Sequence, residues 1–187
     1  MISALTSTTL RGICIVSVFL VGAAFATQYV ALMPDASIYW TNTAAWTPLG
    51  SYPNSPEDEA LLANTANRSV SVNGGPVTAA MVTVAGSERI GIYNGGGTDQ
   101  LLFLTNSAGN PRVAVGAIFG GYHIFSVNTR FDQPLDVIVS NMLRFYPNLQ
   151  SSADLNLYPI GKVISFGDTY IIVNASPDFT GTVFVRG

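Results

Sequence analysis

His123 is the only histidine of the sequence, and Ser126 lies three positions after it. A Ser-His-Asp set would need these two to meet, yet no Gly-x-Ser-x-Gly turn accompanies them and the segment reads as a strand. Residues three apart on a strand face opposite sides. The residue types therefore favour a partly buried histidine donating to a backbone carbonyl, not a general base. One histidine and one cysteine, Cys14, leave no pair at metal-ligand spacing, so zinc is not expected. Carboxylates remain, in Asp132, Asp136, Asp154, Asp168 and Asp178. Two of them facing each other at about 5 to 9 Å would suit glycoside cleavage. Asp168 and Asp178, however, stand where turn-forming aspartates stand. The expectation is no catalytic residue and no enzyme.

Glu57-Asp58-Glu59 is the densest negative cluster and offers oxygens for Ca2+. The alternating acids and central glycine of a calcium-binding loop are absent, so the favoured reading is a set of acids at a helix start, with no cofactor. Gly95-Gly96-Gly97 is not followed by Gly-Lys-Ser/Thr and is read as a turn. Asn67-Arg68-Ser69 and Asn174-Ala175-Ser176 match the N-glycosylation acceptor pattern, with Pro177 weakening the second. Trp40, Trp46 and Tyr52 are candidate contacts for a sugar ring, against the commoner use of such a Trp pair in core or interface packing.

The elements that must position these groups follow from composition. With 187 residues, 48% hydrophobic and only 10% charged, the chain suits one well-buried domain. Its net charge is -3 and Lys162 is its only lysine, so no basic surface exists for nucleic acid. Residues 13–26 carry no charge, follow Arg11, and end in Ala24-Phe25-Ala26, a small-x-small sequence that signal peptidase reads. Residues 1–26 are thus a secretory signal or a retained apolar helix, anchoring in a membrane or lining an assembly; both readings place the rest outside the cytoplasm. Residues 27–38 form a connector and residues 39–187 the body.

The body repeats runs of four to eight β-branched, aromatic and aliphatic residues bounded by Gly, Asn, Pro, Asp or Ser. Strands are expected at 69–73, 77–84, 89–93, 100–105, 112–118, 122–127, 135–140, 153–157, 162–166, 169–174 and 182–185. A short helix is expected from Ser55 to near Asn64, where Ser55, Pro56 and Asp58 suit a helix start. Residues 141–152, with Pro147 among them, read as a long loop or broken helix. The spacing suits an all-β domain, either a parallel β-solenoid or a two-sheet jelly roll or sandwich. Alternation at Val70-Val72 and Leu155-Leu157 is compatible with one-sided antiparallel strands. The two-sided apolar runs at 101–104 and 170–173 need cover from a second layer or a neighbouring subunit.

Val70-Ser71-Val72-Asn73, Val77-Thr78, Val82-Thr83-Val84 and Arg89-Ile90-Gly91-Ile92, after Tyr39-Trp40, Trp46, Pro53 and Asp58, resemble the opening of the passenger domains of autotransporter-like surface proteins. The ending Phe179-Thr180-Gly181-Thr182-Val183-Phe184-Val185 is similar to the Thr-Gly-x-Thr-Val rung of their strand repeats. The resemblance implies a right-handed parallel β-helix used in adhesion or structure, with no catalytic residues to carry over. No membrane-barrel pattern accompanies it, so secretion by that route is not implied. The expected function is a structural, self-assembling subunit of an extracellular filament or of a virion or cell surface. Tyr29, Val30, Leu32 and Met33 of the connector are the candidates for a strand donated to a neighbouring copy. The alternative is a secreted, monomeric carbohydrate-binding or carbohydrate-active domain.

Overall fold

The computed structural model describes residues 26–32, 37–97, 100–116, 123–140, 142–145, 149–160, 170–173 and 176–186. The expected N-terminal helix, Met33, Asp168, Asn174 and the strand at 162–166 lie outside them. Among the described residues no helix is long and apolar enough to cross a membrane.

The chain enters through β1 (Gln28–Ala31), β2 (Ile38–Tyr39), a 3-10 turn at Thr43–Ala45, and β3 (Trp46–Thr47). It then makes one circuit through β4 (Glu59–Asn64), β5 (Arg68–Val72) and β6 (Val77–Ala79). The next circuit is β7 (Met81–Gly86), β8 (Ile90–Asn94) and β9 (Leu101–Leu104). A third runs through β10 (Arg112–Val115), β11 (His123–Ser126) and β12 (Asn128–Phe131). The fourth is β13 (Leu135–Val139), β14 (Met142–Phe145) and β15 (Leu149–Gln150). Then follow β16 (Leu155–Pro159), β17 (Tyr170–Val173), a bridge from Phe179 to Ser151, and β18 (Val183–Val185).

From β1 to β14 every strand except β3 pairs with the strand three places on, β16 pairs with β18, and every pairing is parallel except that of β1 with β3. Three sheets result, of eight, six and four strands, wound as a β-solenoid of about four turns. This decides between the two all-β alternatives and agrees with the β-helix that the resemblance implied. Val70-Val72 and Leu155-Leu157 do alternate, but in parallel strands, since one face of a solenoid strand meets water and the other the interior.

The alternation becomes continuous columns. Tyr29, Ala60, Val82, Val113, Val137, Leu157 and Val185 stand in register across the first sheet. In the second, Ile38, Val70, Ile92, Phe125 and Phe145 do the same, the two Phe rings tilted at 5.3 Å. Phe103, on the outer side of the apolar run at 101–104, is covered by the Arg130 guanidinium 5.6 Å above its ring. Tight corners between the second and third sheets use positive backbone φ at Gly74 and Gly75, and again at Gly96 and Gly97.

Four expectations are corrected. The helix after Ser55 is instead a turn followed by β4, because Ala60 and Leu62 enter the interior columns and six residues of β4 pair with β7. The single strand at 77–84 is bent at Ala80, whose N–H donates to the Asp58 carbonyl at 2.7 Å. Residues 141–152 contain β14 and β15, not a loop alone. The connector is itself part of the solenoid: Tyr29 and Val30 lie in β1, which has β3 on one edge and β4 on the other.

Leu135 is fully buried in register with Leu155. Replacing it by alanine is expected to lower unfolding free energy by about 2–5 kcal/mol. Exposed Arg112→Ala, on the outer face, should change it by about 0.5 kcal/mol or less. Urea unfolding followed by circular dichroism measures both.

Candidate functional site

Trp40 and Trp46 carry no exposed surface, which overturns their reading as sugar contacts. The rings tilt against each other at 5.3 Å, Trp40 Nε1 donates to the Pro53 carbonyl and Trp46 Nε1 to the Trp40 carbonyl. Tyr52 is half-buried against the same core. With β3 lying antiparallel on the edge of β1, this cluster fills the interior beside the first turn.

The acidic residues divide by role. Asp58 is buried, and its carboxylate accepts from the Asn54 N–H at 2.9 Å, bracing the turn that leads into β4. Glu59 accepts from the Gln28 amide on the next strand. The Asp58 and Glu59 carboxylates thus serve the turn and the neighbouring strand; among the described residues no group of three metal-binding side chains could hold an ion. Asp154 accepts from the Thr182 N–H at 3.0 Å and fastens the last turn to the one before. Asp136 accepts from the amides of Asn110 and Asn156, and Asn156 in turn accepts from Arg186. Asn67 is exposed, and its side-chain oxygen accepts from the Arg89 N–H.

Two of the candidate carboxylates line one groove. Asp132 and Asp178 line an open groove of about 400 Å³ with Arg130, Gln150, Ser151, Ser152 and Thr180. Arg130 Nε is 3.2 Å from Asp132, with both side chains about half exposed, so this ion pair is well screened. The groove arises because β12 and β15 carry Arg130 and Gln150 in register, while Phe179 bridges to Ser151 from the turn above. Aspartates 46 positions apart could not be linked from sequence without knowing the length of each circuit.

The second feature is the opposite end of the solenoid. β18 is the last strand of the eight-stranded sheet and has β16 as its one neighbour. Its residues continue the interior columns, Val183 from Leu155 and Val185 from Leu157, yet they are 49% and 71% exposed. Gly181 allows this strand to dock, because a Cβ there would collide with the Ala153 carbonyl.

His123 is buried on the interior face, as its residue type and strand predict, and Ser126 is on the other face. Its Nδ1 accepts from the Ile90 N–H at 3.2 Å, so the neutral ring carries its proton on Nε2. Burial lowers its pKa, outweighing the backbone contacts at Gly116 and Ile90. The unfolded chain then binds the proton more tightly than the folded one, so the stability from this residue is full above about pH 6.5 and is lost as pH falls from there through the lowered pKa of the folded state. His123→Leu, matching Leu143 beside it in the ladder, should flatten the stability profile between about pH 7 and pH 5. Thermal melts across that range test it, an unchanged slope being the contrary result.

Comparisons with protein-family models, with curated proteins and with solved structures found no match, so of the expected resemblance only the β-solenoid fold is shown.

Proposed function

We propose that the chain is a structural, self-assembling subunit of an extracellular filament or of a virion or cell surface, joined by β-strand and apolar contacts between copies. The observation that carries this reading is apolar surface beside strand edges: among the described residues β3 and β18 each have one neighbour in the largest sheet, and Leu32, Tyr39, Leu49, Val183 and Val185 are exposed. Apolar surface continuous with a core, on an edge able to accept another strand, is what protein association uses. Donation of the 28–31 segment would require withdrawing it from β3 and β4, so the exposed apolar edges support association better than the connector does. The reading predicts regular particles in negative stain and a mass by light scattering at least twice that of one chain. A single-chain mass at every concentration up to about millimolar, where even weak association would register, would overturn it.

The Arg130–Asp132–Asp178 groove favours a second reading, a carbohydrate-contacting domain, because carboxylate and guanidinium groups supply acceptors and donors to sugar hydroxyls. Titration of native protein with an oligosaccharide panel is expected to give binding that Asp132→Asn weakens. No binding across the panel would set this reading aside.

A further inference from the structure

We infer that the Arg130–Asp132–Asp178 groove takes a neutral, extended oligosaccharide running along the solenoid axis, one sugar to each turn. The inference rests on the carbohydrate-contacting reading and gives that reading a ligand class and a register.

The lining follows from the ladder. Phe131 is fully buried and the Phe179 ring packs on it at 6.1 Å, so the residues on either side of each point outward. Arg130 pairs with Gln150 and Ser151 with Phe179, which sets Gln150 beside Asp178. Continuing the same registers two residues on sets Asp132, Ser152 and Thr180 side by side. Two outward columns result, Arg130–Gln150–Asp178 and Asp132–Ser152–Thr180, and all six side chains line the groove. Members of a column lie about 4.8 Å apart and the columns about 6.6 Å apart. The step along a column is close to the advance of one pyranose in an extended chain, so each turn offers one sugar two polar side chains.

The floor of the groove is fixed. The Ser151 N–H donates to the Asp178 carbonyl at 3.1 Å, the Thr180 N–H donates to the Ser151 carbonyl at 2.8 Å, and Ser151 Oγ accepts from the Ala153 N–H at 2.8 Å. These groups are engaged within the chain, which leaves the side chains of the two columns to recognise a ligand. Arg130 is held in advance, its guanidinium over the Phe103 ring and its Nε donating to Asp132, so less freedom is lost when its terminal nitrogens donate to a sugar oxygen. The carboxylates can each accept from two adjacent hydroxyls. Charge selects against an anionic chain. Two carboxylates stand in the groove with one guanidinium, itself paired with Asp132, on a protein of net charge -3. A uronate or sulfated sugar would bring further negative charge into the groove.

The test is calorimetric titration of the full chain with glucose, mannose and galactose oligomers of increasing length. Affinity for one of these series should rise with each unit up to three, the number of turns that line the groove, and change by less than about twofold beyond. Asp178→Asn removes the charge of the third turn. It should erase the gain from two units to three, about tenfold, while the disaccharide affinity stays within about twofold. Thr180→Val, which keeps the backbone bond to Ser151, should act in the same sense, both variants retaining the native far-ultraviolet dichroism spectrum. Three results would each overturn this register and leave the carbohydrate-contacting reading standing: a monosaccharide binding as tightly as the trisaccharide, galacturonate oligomers binding more tightly than neutral ones, or a length dependence untouched in both variants. Absence of binding by every oligosaccharide ends both.

Discussion

The structure depends on in-register stacking of one turn upon the next. No single circuit of about twenty to thirty residues encloses its own apolar side chains, because a lone strand exposes both its edges and the rims of its inward residues. Val82 is buried because Ala60 lies under it and Val113 over it, and the same holds along each column. Stability is therefore shared among neighbours, and a void at an inner position weakens contacts with the turns on both sides. The end turns lack one neighbour, so what lies at an end must be explained separately from the middle.

Circuits of unequal length can stack because the corners are joined by side chains that imitate backbone. Asn54 accepts from the Thr78 N–H, Asn67 from the Arg89 N–H and Asp154 from the Thr182 N–H, each reaching the following turn. The Gln133 side chain accepts from the Asn106 N–H and donates to the Asn106 carbonyl, completing a ladder step where the third sheet gives way to the first. Backbone groups at corners cannot all find ladder partners, and leaving them buried and unpaired would be costly. The abundance of Asn, Ser, Thr and Gly has this physical origin. It also accounts for Asp58 and Asp154, which accept from the Asn54 and Thr182 N–H groups at corners.

Much of the fold was legible in the strands themselves. Val70/Val72, Val82/Val84 and Val113/Val115 alternate with outward residues, and a period of two needs no tertiary information. Parallel pairing was not legible, because the same alternation describes a one-sided antiparallel strand. Glu59–Asn64 misled because Glu-Ala-Leu-Leu-Ala favours a helix locally, and six ladder pairs with β7 override that preference. Asn128–Phe131 escaped notice because its inward residues are Thr129 and Phe131 with Asn128 and Arg130 outside; Thr129 is tolerated inside by bonding the Val127 carbonyl. Of the candidate sites, buried His123 was readable from its place on an apolar strand. The groove was not, since bringing Asp132 to Asp178 depends on circuit lengths set by loops.

The two ends answer the same problem differently. At the first, large aromatic residues fill the mouth of the interior: Trp46 stands opposite Ala31, a small residue that leaves room, and both indole N–H groups find carbonyls. The antiparallel reversal then leaves β3 as the edge strand on that side. At β18, Val183 and Val185 stand in register with Leu155 and Leu157, and the missing Cβ of Gly181 lets the turn before them pack against the Ala153 carbonyl. The interior is thus filled in two ways, by large rings beside β1 and by aliphatic side chains beside β16, while among the described residues β3 and β18 each keep a single neighbour in the largest sheet.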